Sequence, residues 1–85
     1  MHFTVAPSTL ASLQESQQAR VQSIQGETET RRRLLEMGLC PGVMVELVRR
    51  APLGDPCEFR VRGYLLSLRR EQARLVTVSL AEGAV

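Results

Sequence analysis

A Pro- and Gly-rich tract, APLGDP at residues 51–56, separates two segments that alternate between apolar and polar residues. Pro fixes φ, Gly permits positive φ, and an Asp side chain can close a turn on its own backbone. The tract is therefore predicted to be a stiff loop between two strands, with Leu53 directed outward at little entropic cost. Because loops held by a rigid scaffold are common sites of binding, this tract predicts a binding module.

The rest of the chain is predicted to be mainly β. Strand-like segments, β-branched or alternating with period two, lie at residues 20–25, 43–50, 57–62, 65–68 and 75–80. Residues 28–37 have the apolar face and acidic start of a helix, with Gly38 as its stop residue. Gly63-Tyr64 is predicted to reverse the chain. About five short strands with one inserted α-helix predict a small closed β-barrel, because closure hides the edges of apolar strands.

The 85 residues of the chain allow one domain, which we place at residues 8–85 behind an N-terminal arm at residues 1–7. No apolar run approaches the roughly 18 residues of a membrane span. The first residues lack the basic start and apolar stretch of a signal peptide, so we expect a cytoplasmic protein. The predicted core consists of Val21, Leu34, Leu35, Leu39, Val45, Leu47, Phe59, Val61, Leu68, Leu75 and Val78.

Candidate groups for catalysis or metal binding are few. The one histidine, His2, lies in the predicted arm, and Cys40 and Cys57 are separated by a strand and a loop, so no pair has metal-ligand spacing. The sequence has no Ser/His/Asp arrangement and no Gly-rich phosphate cradle. We therefore expect no enzymatic activity and no required cofactor, with His2 as a weak site for an adventitious divalent metal.

Three blocks of the sequence resemble the ferrous iron transport protein A (FeoA) family: RLLEMGLCPG at residues 33–42, VRRAPLGDP at residues 48–56 and SLRREQA at residues 67–73. The similarity extends over about residues 8–80, and it departs at residues 14–18, where many relatives carry a Gly before the first strand. This resemblance implies an SH3-like β-barrel that serves as a small cytosolic accessory of bacterial ferrous-iron uptake. It also implies a partner, the ferrous-iron permease with its cytosolic GTPase domain, which the accessory would assemble or activate.

The loop and its basic surroundings form the predicted partner-binding site. An exposed Leu is a modest anchor, so nearby Arg or Tyr side chains would have to strengthen the contact. The predicted set is Arg49, Arg50, Pro52, Leu53, Gly54, Asp55, Arg60, Arg62 and Tyr64. The alternative is that the loop only fixes the register of a hairpin and that each arginine is a solvated strand residue.

Two other functions remain open at the level of sequence. All 11 basic side chains are Arg, which suits a small barrel that binds nucleic acid, but a net charge of +2 and few aromatic residues argue against it. The second is a metal-sensing or metal-carrier domain. We expect no nucleic-acid partner, membrane association through the permease only, and no more than weak homo-oligomerisation.

Overall fold

One antiparallel sheet organises the protein, as shown by a computed structural model that describes residues 8–80. The strands are β1 (Ser8–Thr9), β2 (Gln18–Ile24), β3 (Met44–Arg50), β4 (Cys57–Val61), β5 (Tyr64–Leu68) and β6 (Val76–Leu80). A 3-10 turn (Leu10–Ser12) follows β1, helix α1 (Thr28–Glu36) joins β2 to β3, and helix α2 (Arg70–Ala73) joins β5 to β6. The strand order is β1-β6-β2-β3-β4-β5.

Alternation of side chains directs one face of the sheet into the core. Val45 and Leu47 of β3 pack beside Phe59 and Val61 of β4, and all four are buried. The buried apolar residues are Leu10, Leu13, Ala19, Val21, Leu34, Leu39, Val43, Val45, Leu47, Cys57, Phe59, Val61, Leu68, Ala73, Val76 and Val78. Most of the predicted core is confirmed.

Leu35 and Leu75 differ from the core prediction, because both are only half-buried. Leu75 still packs against the core. The predicted core also left out Leu10 and Leu13, which are fully buried although they lie in and just after a 3-10 turn. Their burial depends on the contact of this turn with α2, which comes from far along the chain.

A bulge in β3 decides which arginine faces inward. The register with β4 shifts between Leu47 and Arg49, so that Arg49 lies opposite Glu58 and Arg50 lies opposite Cys57. Strict alternation from Leu47 would have placed Arg49 on the core side. The extra residue of the bulge places Arg50 there instead.

Helix α1 ends in a Schellman motif at Gly38, the predicted stop residue. The N–H groups of Gly38 and Leu39 donate to the carbonyls of Leu35 and Leu34 at 2.9 and 3.3 Å. Gly38 has a φ of 102°, a conformation that glycine adopts without steric cost. These bonds satisfy carbonyls that the end of the helix would otherwise leave without partners.

The turn between β4 and β5 lies at Arg62-Gly63, one residue earlier than the predicted Gly63-Tyr64. Both turn residues have positive φ, 50° and 89°, as a type I′ hairpin requires. Val61 and Tyr64 therefore face each other across the hairpin. The Tyr64 hydroxyl donates to the carbonyl of Met37, which connects this hairpin to the end of α1.

The predicted fold class is confirmed: the chain is mainly β, with five longer strands, the two-residue β1 and one inserted helix of substantial length. The structure differs from the predicted closed barrel in one respect: the hydrogen-bonded ladder is open, since β1 and β5 do not pair within residues 8–80. The 3-10 turn that follows β1 contacts α2, which follows β5, so helical turns bring these two ends of the sheet together. In this part of the chain, no helix has the length and hydropathy to cross a membrane.

Candidate functional site

The loop at residues 51–56, hereafter the 51–56 loop, is closed by its own hydrogen bonds. The Ala51 N–H donates to the Pro56 carbonyl at 2.9 Å, and the Gly54 N–H donates to the Ala51 carbonyl at 2.7 Å. From inside, the Cys57 thiol contacts the Gly54 carbonyl at 3.7 Å. This short, internally bonded loop leaves Leu53 with 96% of its surface exposed, as the sequence predicted.

Helix α2 braces the loop from outside. Asp55 Oδ1 accepts a hydrogen bond from the N–H of Arg70, the first residue of α2, at 2.9 Å. The predicted closure of Asp55 on its own backbone is thus replaced by a cap on a distant helix. The Arg70 guanidinium lies beside the loop: its Nη2 atom is 3.7 Å from the position that a Cβ atom on Gly54 would occupy. The loop and α2 therefore form one surface.

Arg50 ties the base of the loop to the N-terminal part of the domain. Its Nη1 donates to Cys57 Sγ at 3.3 Å, and its Nη2 donates to the carbonyls of Ala11, at 3.3 Å, and Leu13. The residue is half-buried. In this conformation Arg50 positions the loop, and its guanidinium is occupied by internal acceptors.

A groove of about 360 Å³ lies beside the loop. Arg49, Arg50 and Pro52 line it together with Ala51 and Pro56. Its remaining wall comes from the cross-strand neighbours Glu58 and Ser67, on β4 and β5. The groove therefore combines proline rings with a charged and a hydroxyl-bearing wall.

Arg49 and Glu58 form an ion pair across that wall. Arg49 Nε lies 2.9 Å from Glu58 Oε1, with 70% of the arginine side chain exposed. A pair so accessible to water contributes about 0–1 kcal/mol to stability. Its geometry instead keeps a guanidinium at the rim of the groove, where a partner carboxylate can compete for it.

The other predicted site residues lie at the opposite end of β4. Arg60 pairs with Glu46 at 3.8 Å, and Arg62 occupies the hairpin turn. Both line a smaller depression of about 130 Å³. Since β4 spans five residues, this end lies about 13 Å from the 51–56 loop. Tyr64 belongs to the same end, and its hydroxyl is engaged with α1.

The predicted site therefore divides into two groups. Arg49, Arg50, Pro52, Leu53, Gly54 and Asp55 come together around the groove and the loop, whereas Arg60, Arg62 and Tyr64 cluster at the hairpin. A single partner can contact both groups only if it follows the length of β4 or β5. Sequence reasoning treated the nine residues as one patch because it could not place the two ends of β4 in space.

Sequence reasoning missed three residues at this surface. Ser67 lines the groove, Arg70 lies beside the tip of the loop, and Leu65 is 55% exposed on the neighbouring strand β5. The sequence contains one weak indication of Ser67, which is a small polar residue among the leucines of the segment YLLSL. The proximity of Arg70 had no local signal, because it depends on the contact between Asp55 and α2.

The electrostatic character of the site is basic. Within residues 8–80 the salt bridges are Arg49–Glu58 and Arg60–Glu46, so the guanidinium groups of Arg69 and of Arg70, which lies beside the loop, have no carboxylate of this range within 4.0 Å. In the same residues, no group of three His, Cys, Asp or Glu side chains could hold a metal ion. Cys40 and Cys57 are free thiols, one exposed and one buried. His2 lies outside the described residues.

Known proteins resemble this chain in both sequence and fold. A model of the FeoA domain family matches residues 8–80. The chain is 39% identical over 71 residues to a Fe(2+) transport protein A/Fe(2+) transporter FeoB fusion protein of Porphyromonas gingivalis. That match covers 84% of this chain but 8% of the fusion protein, so the chain spans a small part of this relative's length.

Solved structures give the same relationship. The FeoA protein of Chlorobium tepidum has 38% sequence identity and a TM-score of 0.83, with 92% of this chain and 74% of that chain covered. The FeoA of Stenotrophomonas maltophilia, complexed with zinc, has 32% identity and a TM-score of 0.75 over 85% of this chain and 89% of that one. The latter is described as a prokaryotic SH3 domain protein and suggested to be a bacterial ferrous iron transport activating factor. The family match, the two sequence identities and the shared fold show that this chain belongs to the FeoA domain family.

Proposed function

We propose that this chain is a non-enzymatic cytoplasmic accessory of bacterial ferrous-iron uptake. In this role it docks on the cytosolic, GTPase-bearing part of the ferrous-iron permease and assembles or activates it. Iron is the cargo of the permease, and the accessory needs no resident metal or cofactor. The P. gingivalis relative supports this role, because its name describes a transport protein A joined to the transporter FeoB in one chain.

The observation that carries the proposal is the exposed Leu53 at the tip of a braced loop. A leucine that is 96% exposed gives the isolated domain almost no burial energy. The hydrogen bonds within the 51–56 loop, and the one that the first N–H of α2 donates to Asp55, hold this side chain in position before any partner arrives. Preorganisation lowers the entropic cost of association, so a small hydrophobic anchor can contribute usefully to binding.

The groove beside Leu53 supplies the polar part of the contact. Arg49 at its rim can exchange Glu58 for a carboxylate of the permease, and Arg70 stands on the other side of the loop. Charged groups at a rim accelerate association and select partners more than they strengthen binding. The proposed interface therefore has Leu53 at its centre and arginines around it.

The decisive experiment replaces Leu53 by Asp and measures co-purification with the detergent-solubilised permease, ferrous-iron uptake and GTP hydrolysis. We expect L53D to keep its thermal stability, since the side chain packs on nothing, and to lose permease binding together with its effect on uptake. L80D is the matched control, because Leu80 is also an exposed leucine but lies on β6. If L53D and R49A both bind the permease and support uptake like the wild type, the docking role of the loop is wrong.

A further inference from the structure

Strand β5 is an edge strand without the usual protection. Its outer side has no neighbouring strand within residues 8–80. Its sequence, YLLSL, contains no charge and no Pro, and its register with β4 is free of bulges. Natural proteins normally protect such edges with charged residues, prolines, bulges or very short strands. The opposite edge follows that rule within residues 8–80, because β1 has only two residues there.

The backbone groups at this edge are available. In a two-residue hairpin, the residues that flank the turn exchange hydrogen bonds, so Tyr64, Leu66 and Leu68 bond to β4. The N–H and C=O groups of Leu65 and Ser67 then point away from the sheet. Among residues 8–80, no backbone hydrogen bond joins these two residues to a turn, loop or cap. Leu65 is 55% exposed, and Ser67 is exposed as well.

Basic side chains stand at both ends of the edge. Arg60 and Arg62 lie at the hairpin end, and Arg69 and Arg70 follow directly after Leu68. The acidic side chains near β5 are Glu46, paired with Arg60; Glu58, paired with Arg49; Asp55, which accepts the Arg70 N–H; and Glu71 on α2. The edge therefore presents an uncharged centre between two ends that carry guanidinium groups with no salt bridge within residues 8–80, those of Arg62, Arg69 and Arg70.

This charge pattern selects the occupant. In an antiparallel pair of two β5 strands centred on Leu66, the hairpin end of each copy, with Arg62, would lie beside the α2 end of the other, with Arg69 and Arg70. Like charges brought close together at both ends disfavour such a pair. An extended segment with apolar residues at its centre and acidic residues at both ends meets the opposite sign at each end. Such complementarity also raises the association rate at low salt.

We propose that an extended, acid-flanked segment adds to β5 as a further strand of the sheet. The added strand would take the free hydrogen-bonding groups of Leu65 and Ser67, and Leu65 would pack against its apolar residues. Ser67 also lines the groove beside the 51–56 loop, so the edge is continuous with the docking surface proposed above. The inference rests on that proposed function in one respect: the segment belongs to the cytosolic part of the permease.

The test uses a proline that removes one edge donor. The Ser67 N–H points away from β4, so S67P leaves the β4–β5 ladder intact while blocking an added strand. S67A is the matched control, because it removes the hydroxyl but keeps the N–H. Far-ultraviolet circular dichroism and thermal unfolding first verify that both variants fold. In permease co-purification we expect S67P to bind about tenfold more weakly than S67A, or worse.

A second arm examines the edge without the permease. The probe is a synthetic peptide of five alternating Val and Thr residues with two Glu at each end, and its counterpart carries Lys at those ends. By NMR we expect the Glu peptide to shift the amide signals of Leu65 and Ser67 and to slow their hydrogen exchange. The effect should weaken between about 0.05 and 0.5 M salt as the charges are screened. The Lys peptide should leave these signals unchanged.

The outcomes separate this inference from the proposed function. If S67P binds the permease as well as the wild type does, or if the Glu and Lys peptides act alike, the strand-addition proposal is overturned while docking through Leu53 stands. A concentration-dependent dimer that S67P abolishes would show that a second copy occupies the edge, which also overturns it. If the wild-type protein does not bind the permease but the Glu peptide still protects Leu65 and Ser67, the docking role fails and the edge site remains.

Discussion

Ser16 has a backbone conformation that is energetically costly for any residue other than glycine, although it lies in a hydrogen-bonded turn. It has a φ of 73°, and the turn around it is closed by the N–H of Gln17 donating to the carbonyl of Gln14 at 2.9 Å. The Ser16 N–H itself donates to the Leu47 carbonyl at 2.8 Å, which connects the turn to β3. The backbone of the turn thus keeps a conformation that favours glycine while the side chain is a serine.

We expect S16G to stabilise the domain. A non-Gly residue with positive φ costs roughly 1–2 kcal/mol, and the greater chain entropy of Gly in the unfolded state returns part of this. The net gain should be about 0.5–1 kcal/mol in the free energy of unfolding, measured by urea denaturation. S16A is the control and should leave stability close to that of the wild type. A loss of stability in S16G would mean that the serine side chain, and not the backbone conformation, matters at this position.

At the scale of elements, Asp55 links the 51–56 loop to α2. Its carboxylate accepts the Arg70 N–H at 2.9 Å, and α2 itself has only four residues. A helix this short has little stability of its own, so side chains that hold its first turn matter to it. Loop and helix should consequently loosen together when this bond is lost.

We predict that D55A destabilises the domain by about 1 kcal/mol, the usual cost of losing a side-chain acceptor at a helix start. D55N keeps an acceptor oxygen in the same place and should cost much less. Amide hydrogen exchange at Arg70 should become faster in D55A than in D55N, with chemical denaturation as the second measurement. Equal destabilisation by both variants would instead assign the effect to the negative charge.

Features that depend on neighbouring residues could be predicted from the sequence, whereas features that depend on contacts between distant residues could not. Gly38 was predictable because a helix stop depends on a few neighbouring residues, and the exposure of Leu53 followed from Pro and Gly beside it. The inward position of Arg50 was not predictable, because it depends on a bulge in the β3–β4 pairing. The contact of Asp55 with Arg70 was not predictable either, because it joins residues 15 positions apart in the sequence. Local rules therefore located the loop but not the surface that it forms.

For the whole molecule, the core is thin and depends strongly on Phe59. Among residues 8–80 it is the largest fully buried side chain, and it lies at the centre of β4 between Leu47 on β3 and Leu66 on β5. The other buried side chains in this range are smaller aliphatic residues and one cysteine. A chain of this length is stable by about 4–13 kcal/mol in total. Replacing this one ring therefore affects a large fraction of the stability of the domain.

We expect F59A to lower the free energy of unfolding by about 3–5 kcal/mol, through lost burial and the cavity that remains. F59L refills most of the volume and should lose about 1 kcal/mol. Urea denaturation followed by far-ultraviolet circular dichroism measures both, and L53A serves as the surface control, with a change within about 0.5 kcal/mol. A cost below about 1 kcal/mol for F59A would show that the sheet repacks around the missing ring. In that case the rigid scaffold on which the 51–56 loop and the β5 edge depend would be softer than its packing indicates.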